Sequence, residues 1–421
     1  MRFPAVAATG FPGVRGGSQK RFLDVKLEQR ARKFLGRAAD AEEFQVARTD
    51  GSCVFDSKGK RYIDFLAGWC VGNLGWNNPE IERALRAAPK VTYAYPYYLY
   101  RPWVDLAELL AKIAPGRLTK SFRATGGSEA VEIALQIAMV HTNRRGVISL
   151  ENAYHGNTIG GLSIGASSNR ETYPNLLPHC YKISPPLNRA ALGKIDNRLR
   201  KRDVAAFIME PISCNLNVLV PDKEFMTGLV RLCKKYGTLL IVDEVASGWG
   251  RTGRLFATEH FPIAPDIMCL AKAITGGYAP MGAVMTTATV AKSAEEDGSF
   301  YSTYGWHPLA VEAALANVRY WIRHKTKLLA HVNAIGTVFA ERLAQIEFKQ
   351  RPTIRAKGLA IAVEFDDSDY ADRIASRCEE NGLLLSSSGN AITMFPPLNI
   401  ERRLVEEGLK ILESCAVGKR S

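Results

Sequence analysis

Three short apolar runs constrain the fold of this chain more than any other feature. They are residues 204–210 (VAAFIME), 238–244 (TLLIVDE) and 266–272 (DIMCLAK). Each is apolar almost throughout and ends on a charged residue. A strand with one solvated face alternates apolar and polar positions. A run that is apolar at both parities is covered on both faces. Residues 120–125 (KSFRAT) and 146–151 (GVISLE) read as further strands, and residues 128–142 repeat at helical spacing. Strands separated by helices imply an α/β architecture, a parallel sheet with helices on both sides.

The flanks differ from this middle. Residues 51–68 have the pattern of a hairpin with DSKGK at its turn. A long helical pattern follows Pro308, and short strands are expected at 358–365 and 391–397. The chain has 421 residues, too many for one small core. We therefore expect three parts. Residues 1–70 form an arm and hairpin that pack on the smaller domain. Residues 71–309 form a large domain, and residues 310–421 a small α+β domain. No apolar run approaches the roughly 18 residues of a membrane helix, so no span is expected.

The formal charge is +13, unevenly spread. Residues 1–37 hold nine Lys or Arg against Asp24 and Glu28, or +7, which leaves +6 for the rest. The excess is thus largely an N-terminal arm, read as a solvated or amphipathic segment. A transit peptide or a nucleic-acid contact are the competing readings. The eight cysteines include no C-x-x-C pair and no zinc spacing, so no metal site is expected. Reduced thiols fit a cytoplasmic protein, with the mitochondrial matrix as the alternative that a basic N-terminus leaves open.

In an open parallel sheet, ligands bind beyond the carboxyl ends of the strands. The residues there form an unusual set. ATGGSEA (124–130) puts two glycines before a helix whose opening amides lack partners, which makes an anion site at Gly127 to which Ser128 adds a hydroxyl. The turn is not G-x-G-x-x-G and lacks the lysine of a P-loop. Tyr154 stands where an aromatic plate would, and Glu210, Asp243 and Lys272 end successive strands. Taken singly, each fits a salt-bridged strand end or a core position. Together they supply what pyridoxal 5'-phosphate requires: a lysine for the Schiff base, a carboxylate for the ring nitrogen, a plate for the ring and a helix end for the phosphate. A nicotinamide dehydrogenase would use Glu151, about 20 residues past the glycine turn, but leaves Lys272 and Asp243 unexplained. A cofactor-less binding module leaves the whole set unexplained.

The motifs DEVASGWGRTG, LAKAITGGYAPMGAV, TGGSEAVEIAL, AYHGNT and STYGWHPLA resemble those of class III, fold-type I pyridoxal-phosphate aminotransferases, such as the ornithine, acetylornithine and omega-amino acid enzymes. The resemblance runs from about Gly51 to Leu398. It implies a mostly parallel sheet flanked by helices in the large domain, with a smaller α+β domain. It makes Lys272 the Schiff-base lysine and Asp243 the partner of the pyridine nitrogen. Tyr154 and Val245 would pack on opposite faces of the ring, with His155 also at the cofactor and Glu210 near the ring hydroxyl. Gly127 and Ser128 would bind the phosphate, joined by Thr303 of a neighbouring subunit, which implies a homodimer with a shared active site. Glu244 would face away and serve the scaffold.

Three positions depart from carboxylate-binding members of the family. Asn157 stands where an Arg occurs in HGRT, Asn215 where a switching Glu occurs, and Thr393 where an Arg precedes PPL. These departures weaken the usual guanidinium grip on a carboxylate. EPISCNLN resembles the glutamate-1-semialdehyde aminomutase branch. Trp69, Tyr98 and Arg101, with Asn215, are the expected substrate contacts; the resemblance makes the aromatic stretch 91–103 part of the entrance, with packing at a subunit interface as the competing reading. The expected activity is amino transfer from an amine or omega-amino donor, one not built like ornithine, to a keto acid or aldehyde. An aminomutase or decarboxylase of the same fold is the alternative. The expected partners are small molecules and a second copy of the chain, with no nucleic acid and no membrane.

Overall fold

The structure is a computed structural model that describes residues 27–36, 44–298 and 300–417. It divides into two units, residues 1–46 and 47–421. In the first, Leu27–Phe34 is a helix with Arg32 and Lys33 in its last turn. The remainder of the basic arm lies outside the described residues. Among the described residues no helix is long and apolar enough to cross a membrane.

The second unit is built round a seven-stranded sheet. We number its strands in chain order: β1 Lys120–Ala124, β2 Gly146–Leu150, β3 Cys180–Ile183, β4 Val204–Met209, β5 Leu239–Asp243, β6 Ile267–Leu270 and β7 Gly282–Thr286. Their spatial order is β1-β7-β6-β5-β4-β2-β3. The run β6-β5-β4-β2-β3 is parallel throughout. Strands β2, β4, β5, β6 and β7 are buried at every residue, as their lack of alternation requires.

Two strands were not expected from the sequence, β3 and β7. Strand β7 pairs antiparallel with both β6 and β1. The reason lies in the connection. Residues 271–281 carry only a 3-10 turn at Lys272–Ile274, too little chain for the crossover of a dozen or more residues that parallel neighbours need. The chain therefore turns straight back. Two antiparallel steps restore direction, so β1 ends at the same edge as β6. The helix that follows β1, Gly127–Thr142, buries seven apolar residues from Ala130 to Ala138.

The hairpin forms as expected from Cys53–Asp56 and Arg61–Asp64. Asp56 Oδ1 accepts the N–H groups of Lys58 (2.9 Å) and Lys60 (2.8 Å), which closes the turn. Leu383–Leu384 adds to this small sheet, parallel to Arg61–Asp64. A third, antiparallel sheet holds Thr353–Lys357, Ala360–Glu364, Ala391–Met394 and Ser386–Ser388. The 36-residue helix Pro308–Leu343 runs from the central sheet towards this third one. Near its start Asn317 bonds the loop after β6, and near its end Gly336 meets the backbone of Gly358.

Candidate active site

The carboxyl ends of β1, β2, β4, β5 and β6 open onto one cavity of about 360 Å³. The start of the Gly127–Thr142 helix forms one wall. No side chain caps this helix, so its first amides stay open at the positive end of the dipole. A Cβ on Gly127 would stand 3.0 Å from Val245 Cγ1. At Gly156 φ is +110°, and a Cβ would stand 2.4 Å from Ser128 Oγ. Glycine is required at Gly156 because both the backbone angle and the neighbouring wall forbid a side chain.

Lys272 lies two residues beyond β6 and takes a left-handed conformation, φ +46°. For a residue with a Cβ this costs about 1–2 kcal/mol. Asn317 holds the turn: its Nδ2 donates to the carbonyls of Ala273 (2.9 Å) and Ile274 (3.0 Å). Lys272 Nζ stands 5.2 Å from the centre of the Trp69 ring and, among the described residues, has no carboxylate partner. Trp69 is itself in a left-handed stretch, φ +61°, and packs on Phe395 with ring centres 4.7 Å apart. Asp64 fixes the entry to that stretch by accepting the N–H groups of Leu66 and Ala67, both at 2.8 Å.

Asp243 is buried at the end of β5. Its Oδ1 accepts the Val245 N–H (3.0 Å), and its Oδ2 lies 2.7 Å from His155 Nδ1. With that proton on Nδ1, the imidazole fixes the carboxylate in place. Glu210 Oε2 accepts from Ser213 Oγ (2.7 Å) and Asn215 Nδ2 (3.1 Å). Burial and then the charge of Asp243 push the Glu210 carboxyl upward, against these donors. His155 Nε2 and Glu210 Oε1 are buried without a partner among the described residues. Buried polar atoms are rarely left so, and both belong to residues that line the cavity.

Glu244 takes the other side of the chain. It is fully buried and accepts four hydrogen bonds, from Ser247 Oγ (2.8 Å), Ala257 N (3.0 Å), Thr258 N (2.6 Å) and Thr258 Oγ1 (2.7 Å). Burial still pushes its carboxyl up to about 7.

Nine expected residues thus line one cavity: Gly127, Ser128, Tyr154, His155, Glu210, Asn215, Asp243, Val245 and Lys272. Trp69 adjoins it through Lys272. Three others do not line it. Tyr98 is 69% exposed, Arg101 is an exposed side chain 3.7 Å from Asp105, and Thr303 is exposed, its carbonyl accepting the Tyr93 hydroxyl at 3.2 Å. Asn157 and Thr393 also lie off the lining, and among the described residues no arginine belongs to it. Sequence reasoning missed Asn317. Its signal was a lone amide in the apolar run ALANV, which a buried helix tolerates only when the amide is bonded.

The family described as aminotransferase class-III matches residues 35–416. The adenosylmethionine-8-amino-7-oxononanoate aminotransferase of Staphylococcus aureus is 30% identical, over 90% of this chain and 93% of that protein. The taurine:2-oxoglutarate aminotransferase of Bifidobacterium kashiwanohense, solved with PLP and glutamate, superposes with a TM-score of 0.86 at 27% identity, over 92% of this chain and 96% of the other. The ornithine aminotransferase of Toxoplasma gondii superposes at 0.85 and 27% identity, over 95% and 97%. A match of this extent, on a sheet whose strand ends carry the expected residues, makes the chain a member of the class III aminotransferase family, a pyridoxal-phosphate-dependent transaminase.

Proposed function

We propose that the cavity at the strand ends is the site of amino transfer and that Lys272 and Asp243 are its catalytic residues. The observation that carries this reading is Lys272 Nζ, which has no carboxylate partner among the described residues and lines the same cavity as the buried Asp243 and an uncapped helix start. The donor set fits pyridoxal phosphate. Open amides at Gly127 and the Ser128 hydroxyl suit a phosphate. Asp243 suits a protonated ring nitrogen, and the bare Glu210 Oε1 suits the ring hydroxyl. When bound, the cofactor supplies a carbonyl carbon that exchanges an amino group and a ring that takes up electron density.

The chain's own residues do the rest. Tyr154 and Val245 would hold the ring between them. Asp243 would face the ring nitrogen, and His155 holds that carboxylate in orientation through Nδ1. Lys272 Nζ moves the proton at the carbon that bears the donor's amine. The left-handed turn that Asn317 locks sets where Nζ reaches.

We further propose a homodimer in which Thr303 reaches the phosphate of the neighbouring subunit. Thr303 sits beside exposed rings: Tyr97 is 75% and Tyr98 69% exposed, and Tyr97 stacks on Tyr301 with centres 5.7 Å apart. Such a contiguous apolar surface calls for a cover, and a second copy places Tyr98 and Arg101 at the substrate entrance. The donor is an amine or omega-amino compound whose apolar body packs near Trp69. The absence of arginine from the lining supports a donor that the chain's own cavity does not grip by a carboxylate. Eight free thiols support a reducing compartment, the cytoplasm.

The test is a half-reaction. The holoenzyme is given a panel of amines with no acceptor. Release of about one carbonyl product per site, abolished in Lys272→Ala, is the expected result. Return of an isomer or release of carbon dioxide would replace amino transfer by a mutase or decarboxylase.

A further inference from the structure

At the opposite edge of the central sheet, where β2, β3 and β4 begin, residues 143–146, His179 and residues 202–203 line a second cavity, of about 330 Å³. Its frame is fixed by backbone hydrogen bonds. Gly146 N–H donates to the Asp203 carbonyl (2.9 Å) and Val147 N–H to the His179 carbonyl (3.0 Å). Gly146 leaves no room for adjustment, since a Cβ there would stand 2.9 Å from the Asp203 carbonyl oxygen. Arg144 is anchored through Nη1 to the carbonyls of Val204 (3.2 Å), Tyr236 (2.8 Å) and Gly237 (2.8 Å). The carboxylate of Asp203 is taken by Arg198 at 2.7 Å. Arg145, His179 and Arg202 have no acidic partner among the described residues.

Three helices end here: Gly127–Thr142, Arg189–Leu199 and Lys223–Tyr236. Each carboxyl end carries about −0.5 charge, so together they offset about −1.5. Arg144, Arg145, Arg198 and Arg202 against Asp203 sum to +3. About half the positive charge is therefore surplus to helix capping, before His179 is counted. Two of the residues are also held at a conformational cost. His179 and Arg202 have φ of +60° and +54°, at about 1–2 kcal/mol each, where Gly or Asn would fit more easily.

We propose that this cavity binds a phosphate dianion, either inorganic phosphate or the phosphate group of a small metabolite. Guanidinium groups pair with phosphate oxygens through two parallel N–H bonds, and Arg145 and Arg202 are the groups available to do so, Arg202 having only a long contact, 6.0 Å, to the centre of the Tyr236 ring. Arg145, His179, Arg202 and Asp203 are exposed, so the cavity is an open one, and its volume is at the small end of the range for small-molecule sites, which admits one phosphate-bearing compound.

The test is calorimetric titration of the holoenzyme, whose own phosphate cradle is filled, with inorganic phosphate, glycerol 3-phosphate and a short single-stranded RNA. Wild type is compared with Arg145→Ala/Arg202→Ala and with a control, Arg86→Ala/Lys112→Ala, which removes two exposed charges elsewhere. We expect phosphate binding that weakens about tenfold or more in the first variant and is unchanged in the control. Tighter binding of glycerol 3-phosphate assigns the metabolite form, and equal binding assigns the free ion. No phosphate binding by wild type, equal weakening in both variants, or binding of RNA alone overturns the proposal. So does a loss of thermal stability in the first variant with phosphate binding intact, which is what helix capping alone predicts.

Discussion

Glu244→Gln tests a buried carboxylate whose neighbour Asp243 lines the cavity. Each Glu244 oxygen accepts one backbone N–H, Oε1 from Thr258 and Oε2 from Ala257, as well as one hydroxyl. A glutamine must put its NH₂ at one of these places. The hydroxyl there can reverse and accept, but the backbone N–H cannot, and a buried unsatisfied donor costs about 1–3 kcal/mol. A protonated Glu avoids this, because its hydroxyl oxygen still accepts. The pH dependence sharpens the comparison. In the folded protein the carboxyl is raised from 4.5 to about 7. Its contribution to stability is fully present below about 4.5 and is lost as pH rises through about 7, a change of about 3 kcal/mol. Glutamine does not titrate. The variant should therefore be less stable than wild type by about 2 kcal/mol at pH 5, and this gap should close or reverse by pH 8. Urea unfolding of both proteins at the two pH values measures the gap, and other titrating groups cancel in the difference. A gap that stays constant across the range would refute the reasoning, and would mean that the four donors keep Glu244 ionised throughout.

Asp243→Asn should show the opposite profile. Its fold and the Val245 N–H bond survive, while turnover falls by about 10²–10⁴ through loss of a buried charge partner of about 3–5 kcal/mol; a steady-state assay with more than a tenth of wild-type activity would contradict the assignment. Gly127→Ala places a methyl 3.0 Å from Val245 Cγ1, and equilibrium dialysis should show cofactor affinity weakened by about tenfold with little change in melting temperature. Mixing inactive Lys272→Ala and Thr303→Ala chains should restore activity, because one site of each hybrid dimer then holds both wild-type residues; no recovery after subunit exchange would remove Thr303 from the shared site.

Much of the site was legible in the sequence because strand-end chemistry is local. An apolar run covered on both faces is visible from composition, and the residue that follows it must lie at the sheet's edge. That places Glu210, Asp243 and Lys272 at one edge. The alternation of strand side chains further separates Asp243 from Glu244. What the sequence alone did not determine depends on lengths and on distant partners. Strand β7 is antiparallel because residues 271–281 are too short for a crossover, and β3 was hidden in a short run of mixed polarity. Asn317 acts on the Lys272 turn across 44 residues of chain, so its lone amide in ALANV marked a buried hydrogen bond but not the partner. The basic cavity is assembled from three segments that meet only because β2, β3 and β4 are neighbours in the sheet. The sequence thus determined which residues sit at strand ends, since that follows from local burial. The tertiary structure decided which of them share a cavity and how each is held, since that follows from pairing between distant parts of the chain.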